Sequence, residues 1–247
     1  MLNRIILIIL VSTSLFACKS KKDDEGIMVP AITSYQKGLE AFKKEKFTEA
    51  ADQFDKVYFQ HPGSDITPYA ELMEAYSLYQ ARQYPEALEV LDNFILIHPM
   101  HEDISYAYYL KGLTYYMQIS DIHHDQEITQ KAQDSLEETI SRFPGTKYAV
   151  DVAIKLDLVN DHLAGKEMDI GRYYQKILNP IGAINRFQSI IEHYQTTSHT
   201  PEALYRLVES FEILGLRDEA KKYASVLVFN YPDSSWASHA KQLIQNK

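Results

Sequence analysis

Four phrases in this 247-residue chain end alike: VYFQHPGS at Pro62, FILIHPMH at Pro99, TISRFPGT at Pro144 and LVFNYPDS at Pro232. Twelve residues before each proline stands an alanine: Ala50, Ala87, Ala132 and Ala220. Midway lies an apolar position, Phe54, Leu91 or Leu136, with Ala224 the weakest case. Twelve residues before the first two alanines are Gly38 and Ala75, and the last repeat has Val208 there. A fifth copy keeps Ala183 and Phe187 but has Gln195 where the proline is expected. Self-similarity of this kind fixes the architecture before any local propensity does, because each unit must bury its apolar face against the next.

The alanine-to-alanine distances are 37, 45, 51 and 37, near the ~34-residue period of tetratricopeptide (TPR) repeats. Small residues let the two helices of a hairpin approach closely, and large apolar ones fill the space between neighbouring pairs. Proline just past a helix end stops it. Ser64, Ser105, Thr146 and Ser234 follow the prolines, where N-caps of the next helices are expected. VLVF, Val226 to Phe229, has strand propensity, but its place in the repeat makes it helix. The expected fold is all-α: an α-solenoid of five TPR-like hairpins with a C-terminal capping helix in WASHAKQLIQ. Two insertions interrupt it. QISDIHHDQEIT enlarges the third hairpin's turn, and Tyr148 to Leu178 stays helical as one long helix or two, with Gly165 and Gly171 as candidate kinks. The spacing divides the chain into an N-terminal block of units one to three, residues 31–145, and a C-terminal block of units four and five with linking and capping helices, residues 146–247.

The first thirty residues read differently. Ile5 to Phe16 is an uncharged run of twelve residues, too short to span a bilayer but suited to the apolar region of an export signal. Leu15-Phe16-Ala17-Cys18 resembles the bacterial lipobox, which makes residues 1–17 a signal peptide and Cys18 the lipidated first residue of the mature chain. Cys18 is the only cysteine, so no disulfide can form within one chain. Residues 18–30 then form the lipidated cysteine and a polar tether, with acyl chains holding the protein to a membrane it does not cross. Lys19 directly after the cysteine points to the outer membrane, facing the periplasm. Losing Arg4 with the signal leaves 24 basic against 34 acidic residues, a net charge of −10, which argues against a nucleic-acid partner.

Catalytic chemistry finds no foothold: there is no G-x-S-x-G, no phosphate-cradling glycine loop and no H-E-x-x-H. His123 and His124 invite a metal, but adjacent histidines on a helix diverge and no third ligand follows at convincing spacing. His98 and His101 flank a proline and cannot share a helical face. No enzyme, metal or cofactor is expected, and the carboxylates read as solvated helix faces. Tyrosine is the surplus, eighteen against one tryptophan, and it is patterned. Tyr69, Tyr76 and Tyr79 lie on the second unit's first helix, Tyr106, Tyr109 and Tyr116 on the third's, and Tyr173 and Tyr174 on the fourth's. First helices of TPR hairpins line the concave side, so these rings serve either as core filler or as an amphipathic lining for a bound peptide.

KFTEAADQFDKV, QYPEALEVLDNFILIHP, HHDQE, RFPGTKYAVDVAIKL, HLAGKEMDIGRYY and AINRFQSIIEHY together cover nearly the whole mature chain, and LAGKE-x-x-x-GRYY followed by AINRF is the narrowest of these signatures. On them the chain resembles the BamD family, outer-membrane lipoproteins of the β-barrel assembly machinery. It departs from the family at Gln195, at His124, where an arginine is usual, and at Leu178-Asn179-Pro180-Ile181, where a glycine or aromatic turn is usual. The resemblance implies a non-enzymatic scaffold whose N-terminal repeats offer a groove to unfolded outer-membrane proteins, here Tyr69, Tyr76 and Tyr79. It implies that the C-terminal repeats grip the periplasmic domains of the barrel-forming subunit, BamA, alongside other Bam lipoproteins. Arg186 matches a contact position for that subunit, with Glu167, Tyr173 and Tyr174 beside it; as a plain surface charge it would sit near Glu192 and Asp169. The alternative function is a periplasmic TPR adaptor in cell-wall synthesis or envelope constriction. Such adaptors carry an N-terminal coiled coil, and only a short tether precedes the first repeat here.

Overall fold

The computed structural model describes residues 29–245; the expected signal peptide, Cys18 and the expected tether up to residue 28 lie outside them. Eleven helices and no strand make up the described residues: α1 (Ala31–Lys43), α2 (Phe47–Gln60), α3 (Thr67–Gln80), α4 (Tyr84–Ile97), α5 (Ile104–Tyr116), α6 (Glu127–Arg142), α7 (Lys147–Lys176), α8 (Pro180–His193), α9 (Thr200–Ile213), α10 (Arg217–Asn230) and α11 (Ser235–Gln245). They form five hairpins and a cap, and VLVF lies within α10 as its repeat position requires. All nine prolines fall at helix boundaries. Pro62, Pro99, Pro144 and Pro232 follow α2, α4, α6 and α10 by two residues; Pro68, Pro85, Pro180 and Pro201 open α3, α4, α8 and α9; Pro30 caps α1. A missing N–H costs nothing in a first turn and ends a helix beyond its last.

The repeat alanines sit where helices touch. Ala50, Ala87, Ala132, Ala183 and Ala220 are fully buried, as are Phe54, Leu91, Leu136, Phe187 and Ala224. Within a hairpin the first helix supplies the small partner. A Cβ on Gly38 would lie 2.6 Å from the Phe54 ring, on Gly112 2.7 Å from Leu136 and on Gly171 2.3 Å from Phe187. In unit five the sizes are exchanged, Val208 opposite the weak position Ala224, and both stay buried in one core. The four caps read from sequence divide evenly. Thr146 accepts from the Ala149 N–H and Ser234 from Trp236. Ser64 instead lies in the turn, its carbonyl taking the Thr67 N–H, and Ser105 is already inside α5.

Two expectations about α7 are settled. It is one helix of thirty residues, and neither Gly165 nor Gly171 interrupts it; Gly171 is small because Phe187 packs against it, and Gly165 faces His199. The helix serves two cores. Val152, Val159 and Leu163 pack with unit three, whereas Ala164 and Met168 pack with units four and five and α11. The third hairpin's turn spans residues 117–126, with exposed His123 lying 3.7 Å from Asp169 across on α7. The turn at Gln195 closes without its proline: Thr200 donates to the carbonyls of Tyr194 and Gln195 and Thr197 to Tyr194, as Thr67 donates to His61 in the turn that keeps Pro62.

Candidate binding surfaces

First helices of successive hairpins lie side by side, α1 with α3, α3 with α5 and α5 with α7, and they carry a connected run of rings. Phe42 packs on Tyr76 (centroids 5.4 Å), Tyr76 stacks with Tyr79 (6.3 Å) and meets Tyr106 edge-on (6.4 Å), Tyr106 touches Tyr148 (5.6 Å), and Tyr148 stacks on Tyr109 (4.9 Å). These rings are half-buried, so each contributes to packing between units and still presents an edge. Burial pushes the Tyr79, Tyr106 and Tyr109 phenols above their ordinary value, and at Tyr109 the Asp151 carboxylate adds to it, accepting its hydroxyl at 2.6 Å. The surface is therefore neutral, amphipathic and fixed. Tyr69 stands outside this run: it packs edge-on against His101 and donates to Glu102 at 2.6 Å, two turns along α3 from Tyr76. Phe42 and Tyr148, absent from the sequence reading, lengthen the surface at both ends.

The second site lies where α7 meets α8. Arg186 Nη1 is 3.2 Å from both carboxylate oxygens of Glu167, so Arg186 is paired with Glu167 and not with Glu192 or Asp169. Glu167, Arg186, Tyr174 and Gly182 border one small cavity of about 210 Å³. A Cβ on Gly182 would meet the Tyr174 ring at 2.9 Å, so the glycine lets α8 close down on it. Tyr173 does not line the cavity: it meets the Tyr174 ring edge-on (centroids 5.9 Å) and is 59% exposed, near exposed Ile177, Leu178 and Ile181 around the α7–α8 turn. Thus three of the four sequence-derived residues share a cavity, and the fourth joins an apolar rim that the sequence reading missed.

Arg172 of the GRYY phrase ties the end of α7 to α9. Arg172 donates through Nε to Glu202 on α9 at 3.1 Å, and Arg206 bonds both Glu202 and Glu209 while lying over the Tyr205 and Trp236 rings. Burial opposes ionisation of Glu202, yet the two guanidiniums outweigh it and hold its carboxyl below the usual range. A further feature, Val150, Ile154 and Leu158, forms an exposed apolar stripe at four-residue spacing on α7. No described helix is long and apolar enough to cross a membrane.

Comparison with known proteins agrees with this anatomy. The family profile described as YfiO, an outer membrane lipoprotein, matches residues 29–227. An outer membrane protein assembly factor BamD of Rickettsia prowazekii is 56% identical over 239 residues, covering 97% of this chain and 95% of that protein. The chain belongs to the BamD family. The BamD of Caulobacter vibrioides is 40% identical over 96% of this chain and 79% of its own. Among solved structures, a TPR repeats protein from Bacteroides fragilis superposes with a TM-score of 0.51 at 14% identity, over 87% of this chain and 98% of that one, a likeness of fold. BamD membership makes this an outer-membrane assembly factor on a TPR frame, and the narrow signature gains a mechanical reading: Glu167 pairs Arg186, Gly171 admits Phe187, Arg172 ties α7 to α9, and Tyr174 packs on Gly182.

Proposed function

We propose that this member of the BamD family is a non-enzymatic scaffold anchored through lipid on Cys18 to the periplasmic face of the outer membrane. It grips the periplasmic domains of the barrel-forming subunit with the α7–α8 surface, among the other lipoproteins of the machinery. It receives extended segments of unfolded outer-membrane proteins along the ring-lined side of α1, α3, α5 and α7. The observation that carries the reading is the α7–α8 site: a half-exposed guanidinium held by Glu167 at the edge of an exposed apolar rim. Interfaces are built this way, with aromatic and arginine anchors beside a polar pair. The rings of Tyr76, Tyr79, Tyr106 and Tyr109 support the second role, since half-buried tyrosines offer wide contact area at low entropy cost.

Binding of the mature chain to the periplasmic domains of the barrel-forming subunit tests this. Arg186→Glu is expected to weaken binding by at least about 30-fold, in the range for losing a charged interface anchor. The charge swap Arg186→Glu with Glu167→Arg restores the internal pair and still fails to bind if Arg186 contacts the partner. Recovery of binding by the swap would reduce Arg186 to an internal strut.

A further inference from the structure

Opposite the rings, the second helices α2 and α4 stand apart over α3 and enclose a cleft of about 660 Å³. Six carboxylates line it: Asp52 and Asp55 from α2, Glu71 and Glu74 from α3, Glu86 and Glu89 from α4. No lysine or arginine lines it, and Ala51, Leu78 and Val90 give it an apolar floor. Asp52, Glu86 and Glu89 are exposed at its mouth, whereas the inner acids are not solvated helix faces. Glu71 is 2% exposed; its Oε2 meets His98 Nε2 at 2.8 Å, and its Oε1 has no hydrogen-bond partner. A buried carboxylate oxygen without a donor is costly. The surroundings agree. Burial, aided by Asp55, Glu71 and Asp52, pushes the Glu74 carboxyl up to about 8, and burial with Asp52 raises Asp55 although Lys56 opposes it.

The chemistry that relieves such a site is specific. Among the described residues no three His, Cys, Asp or Glu side chains are gathered closely enough to hold a metal ion, so a bare cation is a poor fit. A guanidinium matches: its fork of N–H donors reaches several oxygens, and its methylene stem lies well on an apolar floor. We propose that this cleft seats arginine side chains of an extended, alternately basic and apolar segment of a partner polypeptide, with the innermost guanidinium donating to Glu71. The occupant is a partner because the chain's own basic run, Lys19 to Lys22, is followed directly by Asp23, Asp24 and Glu25, which the same carboxylates repel. This site is separate from both surfaces assigned above and does not depend on their roles.

The test uses the mature chain with Cys18→Ser and a hexapeptide alternating leucine and arginine, its ends blocked, against the same peptide with citrulline for arginine. Citrulline keeps the shape and removes the charge. Titration calorimetry is expected to show binding of the arginine peptide, at least about tenfold weaker binding of the citrulline peptide, and a tenfold loss for Glu71→Gln with Glu74→Gln. Because a buried double change can perturb folding, Glu86→Lys with Glu89→Lys, both on the exposed rim, should produce a similar loss, while Lys221→Glu, exposed on α10, should leave binding unchanged. No binding of the arginine peptide, equal binding of the two peptides, or indifference to the rim variant overturns the proposal. So does a tenfold gain when residues 19–28 are removed, which would make the chain's own tether the occupant.

Discussion

Gly171 and Glu74 mark opposite failures of reading single residues. Gly171 looked like a weak point in a helix, but a Cβ there would meet Phe187 at 2.3 Å, so the glycine is a packing requirement. Gly171→Ala should destabilise the protein by about 1–3 kcal/mol, the usual cost of overfilling a core, whereas Gly63→Ala, which meets nothing within 4 Å, should be close to neutral in the same denaturant titration. Glu74 looked like one more surface acid, because burial is invisible until α2 and α4 flank it. Its carboxyl is raised to about 8, above the ordinary carboxylate range. Protonated in both states at low pH, it adds no cost there. As pH rises toward 8 the fold must retain a proton that the unfolded chain has released, so stability declines. Glu74→Gln should therefore leave the thermal midpoint unchanged near pH 4 and raise it increasingly up to pH 8; a gain independent of pH would contradict the burial seen here.

At the scale of helices and turns, four of the five hairpins close the same way. The residue two before the second helix adopts a left-handed conformation, Glu45 (φ 58°), Arg82 (60°), Leu178 (58°) and Gly215 (74°). In each, the next amide bonds back five residues, Lys46 to Ala41, Gln83 to Leu78, Asn179 to Tyr174 and Leu216 to Phe211, which is the Schellman arrangement. Only unit five places glycine there. A side chain in this region costs on the order of 1 kcal/mol, so Arg82→Gly, at an exposed position, should stabilise by about that amount and raise Tm by ~2–4 °C. The departure at Leu178 is thus a strained but unbroken turn. Helix ends at prolines were legible because proline acts locally. The starts at Thr67 and Ile104 were not, because the turns after Pro62 and Pro99 satisfy their amides from backbone carbonyls, that of Ser64 among them, and do not use the Ser64 or Ser105 hydroxyl.

Across the whole molecule, repeat spacing carried the fold because every alanine in register is a contact between helices. The surfaces were less visible: Tyr76 and Tyr79 show as a three-residue spacing, but Phe42 and Tyr148 join them only after α1, α3, α5 and α7 are laid side by side. The largest core runs from Ala164 to Ala240 and shares no residue with the cores of units one and two. Stability in such arrays is largely a sum over neighbours. Phe187→Ala should cost about 3–5 kcal/mol and speed amide hydrogen exchange in α8 to α11 while leaving α1 to α4 as protected as before. Uniform acceleration would show one cooperative unit instead of the two blocks we propose on either side of residue 146.

The uninterrupted α7 joins the extremes of this arrangement. Tyr148 at its first turn ends the run of rings, and Glu167, Tyr173 and Tyr174 near its last turns build the second surface. Thirty residues of helix make a rod of about 45 Å, so a tilt of roughly 5° about its middle moves either end by about 2 Å. Whatever takes hold of one end therefore works a lever: it sets the height at which the other end is presented, without any intervening joint to absorb the movement.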